Sequence, residues 1–412
     1  MTPHACRVAY LIGQFPAINH RYLLQEIRCL RQCGVEVQVA SVAPPDRPEE
    51  ELTPEEREET AHVYCLKREN LWRTAWIHLR VLLKRPLSFL RGLACAIATA
   101  RAQRRPLRYA VYYFAEAILT GAWMQRSRLK HLHTSFTSGI GLIASRIFPI
   151  SHSFAVYGYG ELYDPLGNLL REKIAGATFV RSVSLEGCGQ LMLAVPPDYW
   201  SRILYRPLGV DPAEFAPRTT SSAIGFEILS VGRLAPEKGQ RILLRAVARL
   251  RRAGHDVRLR LVGDGPDRSS LHAFTQTLGI SKSVIFEGWV CEARLDELYG
   301  SAQAFALSSL YEGTPIVLME AMARQLPCVA PRINGISELI THGVDGLLFS
   351  PTDDAALACQ IEQLLNAPNF GRRLGSAARR KIVEDYDIFK STRRFAEAFL
   401  GKKEDRSVSS AA

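Results

Sequence analysis

The 412-residue sequence has no run of about 18 uncharged apolar residues, which is the length that a helix needs to span a bilayer. It also lacks a secretion signal, because the stretch from Arg7 to Ala17 is short and interrupted by polar residues. We therefore expect no membrane-spanning helix and no cleaved leader. Residues 8–13 read as a buried first strand instead.

The sequence also lacks the cysteine spacing of a metal site or a disulfide framework. Its nine cysteines are odd in number and scattered, and Cys29 and Cys33 are simply one helical turn apart. Reduced thiols in a cytosolic protein fit this distribution.

Acidic residues are scarce between residues 67 and 130. This segment holds fourteen lysines and arginines but only Glu69 and Glu116, an imbalance that accounts for the net charge of +11 of the whole chain. Trp72, Trp76 and Trp123 lie among the cations. Basic helices with interleaved aromatics are typical of segments that bind anionic membrane surfaces. Packing helices with solvated arginines are the alternative, and the lack of a nucleic-acid-binding motif argues against nucleic acid as the partner.

Short apolar runs alternate with helical periodicity in both halves of the chain. Residues 8–13 and 35–42 are predicted strands on either side of a helix, which is a βαβ opening. A segment with prolines, serines and threonines at 211–223 separates the halves. In the second half we predict strands at 227–231, 258–262, 284–286, 304–307 and 328–330. The pattern indicates an α/β protein with two doubly wound, Rossmann-like domains.

The loop after the predicted strand at 227–231 combines glycine with positive charge. It reads Gly232-Arg233-Leu234-Ala235-Pro236-Glu237-Lys238-Gly239. Glycine lets the backbone approach a ligand closely, and Arg233 and Lys238 can reach a diphosphate from the same loop. A solvated basic loop is the alternative for this motif taken alone. Gly265 lies in a second turn where a strand leads into glycines, and this pattern alone is only a weak indication of a ligand-binding loop.

Two glutamates follow the predicted strand at 304–307. Glu312 lies in the loop, and Glu320 lies eight residues later in a predicted helix over 316–324, with Thr314 as its expected N-cap and Pro315 in its first turn. The N-terminus of a helix attracts anionic phosphate. The two carboxylates can accept hydrogen bonds from sugar or ribose hydroxyls, and the apolar neighbours of Glu320 argue against an ordinary exposed position.

The order of these motifs carries a family resemblance. The sequence contains, in order, G-R-L…E-K-G, V-G-D-G-P, F-E-G-W-V, E-G-T-P-I-V-L-M-E-A-M-A, N-G-I-S-E-L-I and H-G-V-D-G-L-L-F. This order resembles the retaining GT-B glycosyltransferases of family 4, and the N-terminal half is similar to their exopolysaccharide (colanic-acid-type) branch. The resemblance implies two Rossmann-like domains that face a central cleft: an acceptor-binding domain at 1–215 with the basic insertion at 67–130, a donor-binding domain at 225–380, and a C-terminal helix at 381–404 that crosses back.

The resemblance also implies residue roles. Glu312 would lie near the donor sugar and Glu320 at the ribose, while Arg233 and Lys238 would bind phosphate. The backbone N–H groups of Gly313, Thr314 and Ile316 would face the diphosphate or the sugar. The turn at Trp289 and Val290 would contact the base. Gly265 is a further donor-side position, and Gly13 lies in the acceptor-side loop. No metal and no cofactor is implied, because the cations and the helix end neutralise the leaving diphosphate.

The sequence departs from the family pattern at several positions. Tyr157 stands where a histidine normally contacts the donor sugar, and a tyrosine with a pKa near 10 cannot carry the same charge at neutral pH. Gln325 and Asn334 stand where glycines are usual, and asparagine tolerates left-handed backbone well. The loop near Gly13 lacks the paired glycines of the family.

The sequence thus predicts a retaining, metal-independent glycosyltransferase (a hexosyltransferase) that moves a sugar from a UDP- or GDP-linked donor. We expect a lipid-linked or oligosaccharide acceptor, a role in cell-surface polysaccharide synthesis, and a cytoplasmic location at the inner face of the membrane. Two alternatives stay open: a non-catalytic GT-B subunit of a polysaccharide assembly complex, which Tyr157 motivates, and a GT-B nucleotide-sugar epimerase.

Overall fold

The computed structural model of the protein describes residues 6–217 and 225–401. It divides into two compact units: the first contains the residues up to Pro207 and those from Ile388 onward, and the second runs from Leu208 to Asp387. Residues 218–223 of the predicted linker and 402–404 of the predicted C-terminal helix lie outside the described residues.

Each unit contains one parallel sheet. The strands of the first unit are β1 (Cys6–Gln14), β2 (Val35–Ala43), β3 (Tyr64–Cys65), β4 (His131–Ser135), β5 (Ser151–Val156), β6 (Val180–Ser182) and β7 (Ile203–Tyr205). Those of the second are β8 (Phe226–Val231), β9 (Val257–Val262), β10 (Val284–Gly288), β11 (Ala304–Ala306), β12 (Cys328–Pro331) and β13 (Leu347–Phe349).

The α-helices lie between consecutive strands or follow the last strand of the second sheet. They are α1 (Arg21–Gln32), α2 (Pro54–Thr60), α3 (Leu71–Lys84), α4 (Pro86–Ala102), α5 (Arg108–Arg126), α6 (Ser138–Ile147), α7 (Tyr159–Leu162), α8 (Leu170–Gly176), α9 (Leu185–Leu193), α10 (Gln240–Arg252), α11 (Arg268–Thr277), α12 (Glu292–Ser301), α13 (Ile316–Ala323), α14 (Asn334–Leu339), α15 (Asp354–Asn366), α16 (Pro368–Asp385) and α17 (Ile388–Leu400). The predicted α/β class with two doubly wound units is confirmed.

The two sheets share the order of their first six strands, and the first sheet adds a seventh strand at its edge. The first runs β3-β2-β1-β4-β5-β6-β7 and the second β10-β9-β8-β11-β12-β13. In both sheets, the strand that comes first in the chain lies beside the strand that comes fourth, and the strands are added outward to either side of this pair. The loops after these two strands therefore lead away from each other and leave a crevice at the carboxyl edge of the sheet. In the second unit the strands beside this crevice are β8 and β11.

The boundaries of the units differ from the predicted ones for a physical reason. The chain passes to the second unit at Leu208, because Val210 forms an isolated parallel bridge with Asp387 and the Arg379 guanidinium donates to the Phe215 carbonyl oxygen (2.6 Å). At the other end, α16 continues to Asp385 within the second unit, so the helix that packs on α1, β1 and β2 of the first unit begins only at Ile388.

The basic segment at 67–130 forms three helices, α3 to α5, between β3 and β4. Ile77 and Val81 of α3 and Phe114 of α5 belong to the hydrophobic core of the first unit. Among the residues that the structure describes, no helix is both long enough and apolar enough to cross a bilayer.

Candidate functional site

The candidate donor site lies where the loops after β8, β9 and β11 meet. The approach is close enough to require glycine: Gly239 has a φ of 59°, and a Cβ built on it would lie 2.2 Å from the carbonyl oxygen of Ser308. A Cβ on Gly265 would lie 2.3 Å from the carbonyl oxygen of Leu234. The glycine motifs of these loops therefore serve backbone packing at the carboxyl edge of the sheet, in addition to any ligand.

An ion pair joins the loops after β8 and β11. The Lys238 ammonium donates to Oε1 of Glu312 at 2.6 Å, and the hydroxyl of Ser309 donates to the same oxygen at 2.7 Å. Glu312 is only 8% exposed. The structure thus brings together two predicted site residues that are 74 positions apart.

Arg233 lies in the same loop as Lys238 but has a different partner. Its guanidinium pairs with the Glu237 carboxylate four residues further along the chain, and its side chain is 56% exposed. Its backbone carbonyl accepts a hydrogen bond from the side-chain Nε2 of Gln240 (2.8 Å), which holds the loop in place. The loop therefore places two cations at the carboxyl edge of β8, one paired with Glu312 and one largely exposed to solvent.

The helix after Glu312 begins without the predicted threonine cap. Its N-cap is Pro315, with extended backbone (φ −76°, ψ 104°) and no capping hydrogen bond from its side chain. The prediction of Thr314 as N-cap and Pro315 as a helical residue was wrong by one position, because the extended ψ of Pro315 delays the helical conformation to Ile316. Gly313 and Thr314 lie in the loop directly before the helix, as predicted.

Glu320 lies inside α13, and its carboxylate accepts a hydrogen bond from the Tyr299 hydroxyl (3.1 Å). Val290 and the 54% exposed Trp289 follow β10 and lead into α12. All predicted positions of the second unit therefore lie in loops after strands of one sheet or in the helix that follows β11.

Tyr157 lies in the first unit, just beyond β5. Its hydroxyl is 2.9 Å from the hydroxyl of Ser135, which donates to the Tyr10 hydroxyl (3.1 Å). Tyr10 donates in turn to Glu26 (2.9 Å). Burial first, and then the charge of Glu26, raises the pKa of Tyr157, so this side chain stays a neutral hydrogen-bonding group at physiological pH.

One predicted position of the first unit differs from the sequence interpretation. Gly13 was predicted in an acceptor-side loop, but β1 extends through it to Gln14, because Gln14 still pairs with Ala43 of β2. His152 is the histidine closest in sequence to Tyr157, and no role was predicted for it. It lies in the interior of β5, only 1% exposed, and burial lowers its pKa to about 4. It is thus a neutral core residue and does not replace the missing family histidine.

Gln325 has the left-handed backbone geometry that favours glycine. It lies directly after the C-cap of α13 with a φ of 61°, and a Cβ on Gly375 would lie 2.1 Å from its carbonyl oxygen. A left-handed residue at this position is usually glycine, because side chains are strained there. We expect Gln325→Gly to raise the free energy of unfolding by about 1 kcal/mol.

The matched control is Gln363→Gly, the same substitution at an exposed position inside α15. There it should lower the free energy of unfolding by about 1 kcal/mol. Urea unfolding of both variants measures the effect, and equal destabilisation by the two would contradict the role of backbone strain at Gln325.

Sequence reasoning missed Ser309 and Tyr299. Ser309 is 1% exposed and contacts Glu312, whereas Tyr299 is fully buried and contacts Glu320. Ser309 lies three residues before a glutamate already singled out, and this spacing was the available signal. Tyr299 offered no such signal, because it lies in α12 and the strand β11 separates it from Glu320 in α13.

Comparison with known proteins relates one unit of the chain to a family. Residues 220–381 match the family model described as "Glycosyl transferases group 1". The GDP-mannose-dependent alpha-(1-6)-phosphatidylinositol monomannoside mannosyltransferase of Mycolicibacterium smegmatis is 31% identical over 216 residues, which are 48% of this chain and 56% of the relative. The MMP alpha-(1->4)-mannosyltransferase of Mycolicibacterium hassiacum is 36% identical over 182 residues, 43% of each protein. The chain thus spans about half the length of these curated relatives.

Solved structures show the same fold over nearly the whole chain. Anabaena HepE in complex with UDP superposes with a TM-score of 0.69, covering 96% of this chain and 100% of HepE at 18% identity. At this identity the likeness shows the fold alone. Residues 220–381 therefore carry the sequence features of glycosyl transferases group 1 on one Rossmann-like unit of a GT-B fold.

Proposed function

We propose that the protein is a retaining glycosyltransferase that transfers a sugar from a UDP- or GDP-linked donor to a lipid-linked saccharide in cell-surface polysaccharide synthesis. The observation that carries the proposal is the Lys238–Glu312 pair at the crevice between β8 and β11, in the region that matches glycosyl transferases group 1.

The charges of this site suit a nucleotide sugar. The Lys238 ammonium and the Arg233 guanidinium can bind the diphosphate, and the N-terminus of α13 adds backbone N–H groups. These groups neutralise the charge that develops on the leaving diphosphate without a metal ion. The carboxylates of Glu312 and Glu320 accept hydrogen bonds from sugar and ribose hydroxyls, which cations cannot do.

Retention of configuration follows from attack on the face that the diphosphate leaves. The bond between the anomeric carbon and the diphosphate oxygen breaks, the acceptor oxygen bonds to that carbon from the same side, and the departing phosphate oxygen takes the acceptor proton. The protein acts by positioning and by charge stabilisation, and no side chain is assigned as a nucleophile.

The relatives support the choice of donor and acceptor classes. The name of the M. smegmatis relative specifies GDP-mannose as donor and a phosphatidylinositol mannoside as acceptor, and HepE was solved with UDP. By analogy we assign a nucleoside diphosphate sugar and a lipid-linked saccharide to this chain.

A thermal-shift screen of UDP- and GDP-sugars tests the donor assignment. A donor that binds only the folded protein raises the melting temperature by mass action, and the wild type should show this shift. Glu320→Ala should lose most of it, because a ribose contact is removed. Glu297→Ala removes a carboxylate from an exposed position on α12 and should keep the full shift. If no nucleotide sugar stabilises the wild type, the proposed function is wrong.

The same donor then separates the two alternative functions. Binding without transfer or hydrolysis on any lipid-linked acceptor would identify a non-catalytic subunit, a possibility motivated by Tyr157 in place of histidine. Release of a free epimerised sugar without acceptor would identify an epimerase.

An anionic membrane surface at the cytoplasmic side is the further partner that we propose. In α3, Trp72, Trp76, Leu79 and Leu83 are exposed and lie at spacings of four, three and four residues, so they share one helix face. Ile77 and Val81 are buried on the opposite face. Trp72 is 85% and Leu83 72% exposed, which is unusual for a helix whose other face is already packed.

Exposed positive charge lies on α3 itself and between the two helices that follow it. Arg73, Arg80 and Lys84 are exposed on α3, and Arg101, Arg104, Arg105 and Arg108 are exposed around the end of α4 and the start of α5. Exposed aromatic and leucine side chains beside cations suit the headgroup region of an anionic bilayer better than they suit water.

Replacing Arg101, Arg104, Arg105 and Arg108 by glutamine should weaken binding to vesicles of phosphatidylglycerol and phosphatidylcholine by at least about tenfold, since each surface cation contributes about 1 kcal/mol. The matched control neutralises Arg252, Arg258, Arg372 and Arg373, which are exposed in the second unit. Vesicle cosedimentation measures both. Equal binding by both variants and the wild type would mean that the basic helices only pack and do not anchor.

A further inference from the structure

Tyr299 is a buried tyrosine that connects two helices of the candidate donor site. It lies near the end of α12 and is fully buried. Its hydroxyl lies 3.1 Å from Oε2 of Glu320 and 3.1 Å from the carbonyl oxygen of Val317, both on α13. One hydroxyl hydrogen is thus shared between two acceptors that are one helical turn apart.

The ring of Tyr299 is held from two sides. The Arg324 guanidinium lies over it at 4.7 Å from the ring centroid, and Phe305 of β11 stacks on it with centroids 5.9 Å apart. These contacts leave the hydroxyl little freedom to move relative to α13. Burial, and then the charge of Glu320, raises the pKa of Tyr299 well above its usual value, so the hydroxyl stays protonated and donates.

The two helices that Tyr299 joins lead to different parts of a nucleotide. The helix α12 follows directly on Trp289 and Val290, the predicted base-contacting turn, whereas α13 carries Glu320, the predicted ribose ligand. A fixed distance between a base contact and a ribose contact is what a nucleoside requires for both to be made at once.

We propose that Tyr299 is a positioning residue that orients the Glu320 carboxylate toward the ribose diol of the donor. The proposal rests on the proposed function, since it needs a nucleoside diphosphate in the site. Tyr299 itself is buried behind Glu320 and acts on the ligand only through that carboxylate.

The test compares nucleotides with and without the diol. Dissociation constants of UDP, GDP and their 2′,3′-dideoxy forms are measured by calorimetry for the wild type, Tyr299→Phe and Glu320→Gln. In the wild type, the nucleotide that binds should lose about tenfold or more in affinity when its diol is removed. Tyr299→Phe should weaken the natural diphosphate by about fivefold while changing the dideoxy form little, and Glu320→Gln should remove most of the diol preference.

A matched variant controls for the loss of a hydroxyl elsewhere in the unit. Tyr386→Phe removes a hydroxyl that donates to the Glu338 carbonyl oxygen (3.4 Å), and it should keep the full diol preference. Thermal melts verify that each variant is folded, and Glu320→Gln still tests the ribose contact if Tyr299→Phe is unstable.

The outcomes separate the two proposals. If neither UDP nor GDP binds the wild type, the proposed function fails and the positioning role falls with it. If one binds and Glu320→Gln loses the diol preference, but Tyr299→Phe weakens the natural and dideoxy forms equally or leaves both unchanged, the donor site stands and the role of Tyr299 is overturned.

Discussion

Replacing Lys238 by alanine should lower kcat for sugar transfer by about 10²–10³, the largest loss of activity that we expect from a single substitution. In our proposal the ammonium stabilises the charge that builds up on the departing diphosphate, and this charge is greatest in the transition state. The ammonium also pairs with the mostly buried Glu312, so its removal disturbs the second predicted site residue as well. Initial rates at saturating donor measure the effect.

Lys282→Ala is the control for this experiment, because it removes the same charge from an exposed position of the same unit. It should keep the wild-type kcat. A folded Lys238→Ala variant with a kcat within threefold of the wild type would mean that Lys238 does not stabilise the transition state. The main argument for the site would then be lost.

Replacing Arg181 by methionine should lower the free energy of unfolding of the first unit by about 3–5 kcal/mol, the largest loss of stability that we expect. Arg181 is fully buried, and its guanidinium donates to Glu26 (2.5 Å) and to the carbonyl oxygens of Arg206 (2.9 Å) and Pro207 (3.2 Å). Removing it leaves a charged Glu26 and two carbonyls without these donors inside the core. Chemical unfolding is followed through tryptophan fluorescence, since four of the five tryptophans lie in this unit.

Two further variants show whether burial is the cause. Arg7→Met breaks the pair with Glu36 (2.8 Å) on the surface of the same unit and should cost at most about 1 kcal/mol. Replacing both partners, Glu26→Leu with Arg181→Met, should recover part of the loss, because the uncompensated charge disappears. Equal costs for Arg181→Met and Arg7→Met would contradict the argument.

The buried pair also bears on Tyr157. Glu26 links Arg181 to Tyr10, and Tyr10 leads through Ser135 to Tyr157. The Tyr157 phenol therefore belongs to a hydrogen-bonded chain of the first unit. Burial keeps this phenol neutral, and Ser135 holds its hydroxyl.

The sequence by itself determined the kinds of elements and their order. Residues 8–12 are apolar throughout because a parallel strand is buried on both faces, and this pattern was readable as the strand β1. The glycines at 239 and 265 marked turns because side chains do not fit there. The motif order also placed Arg233, Lys238, Glu312 and Glu320 in loops after strands or in the helix that follows, and the structure agrees with each placement.

Only the tertiary structure decided which side chains meet. Lys238 reaches Glu312 because β8 and β11 are neighbours in the sheet, and no local pattern states which strands become neighbours. The same holds for Tyr299 with Glu320 and for Arg181 with Glu26, which are 155 positions apart. The sequence also could not show that one apolar face of α3 is exposed. Hydrophobic periodicity shows that a helix face is apolar but not whether another element packs on it. Local chemistry acts over a few residues, whereas pairing and burial depend on the path of the whole chain.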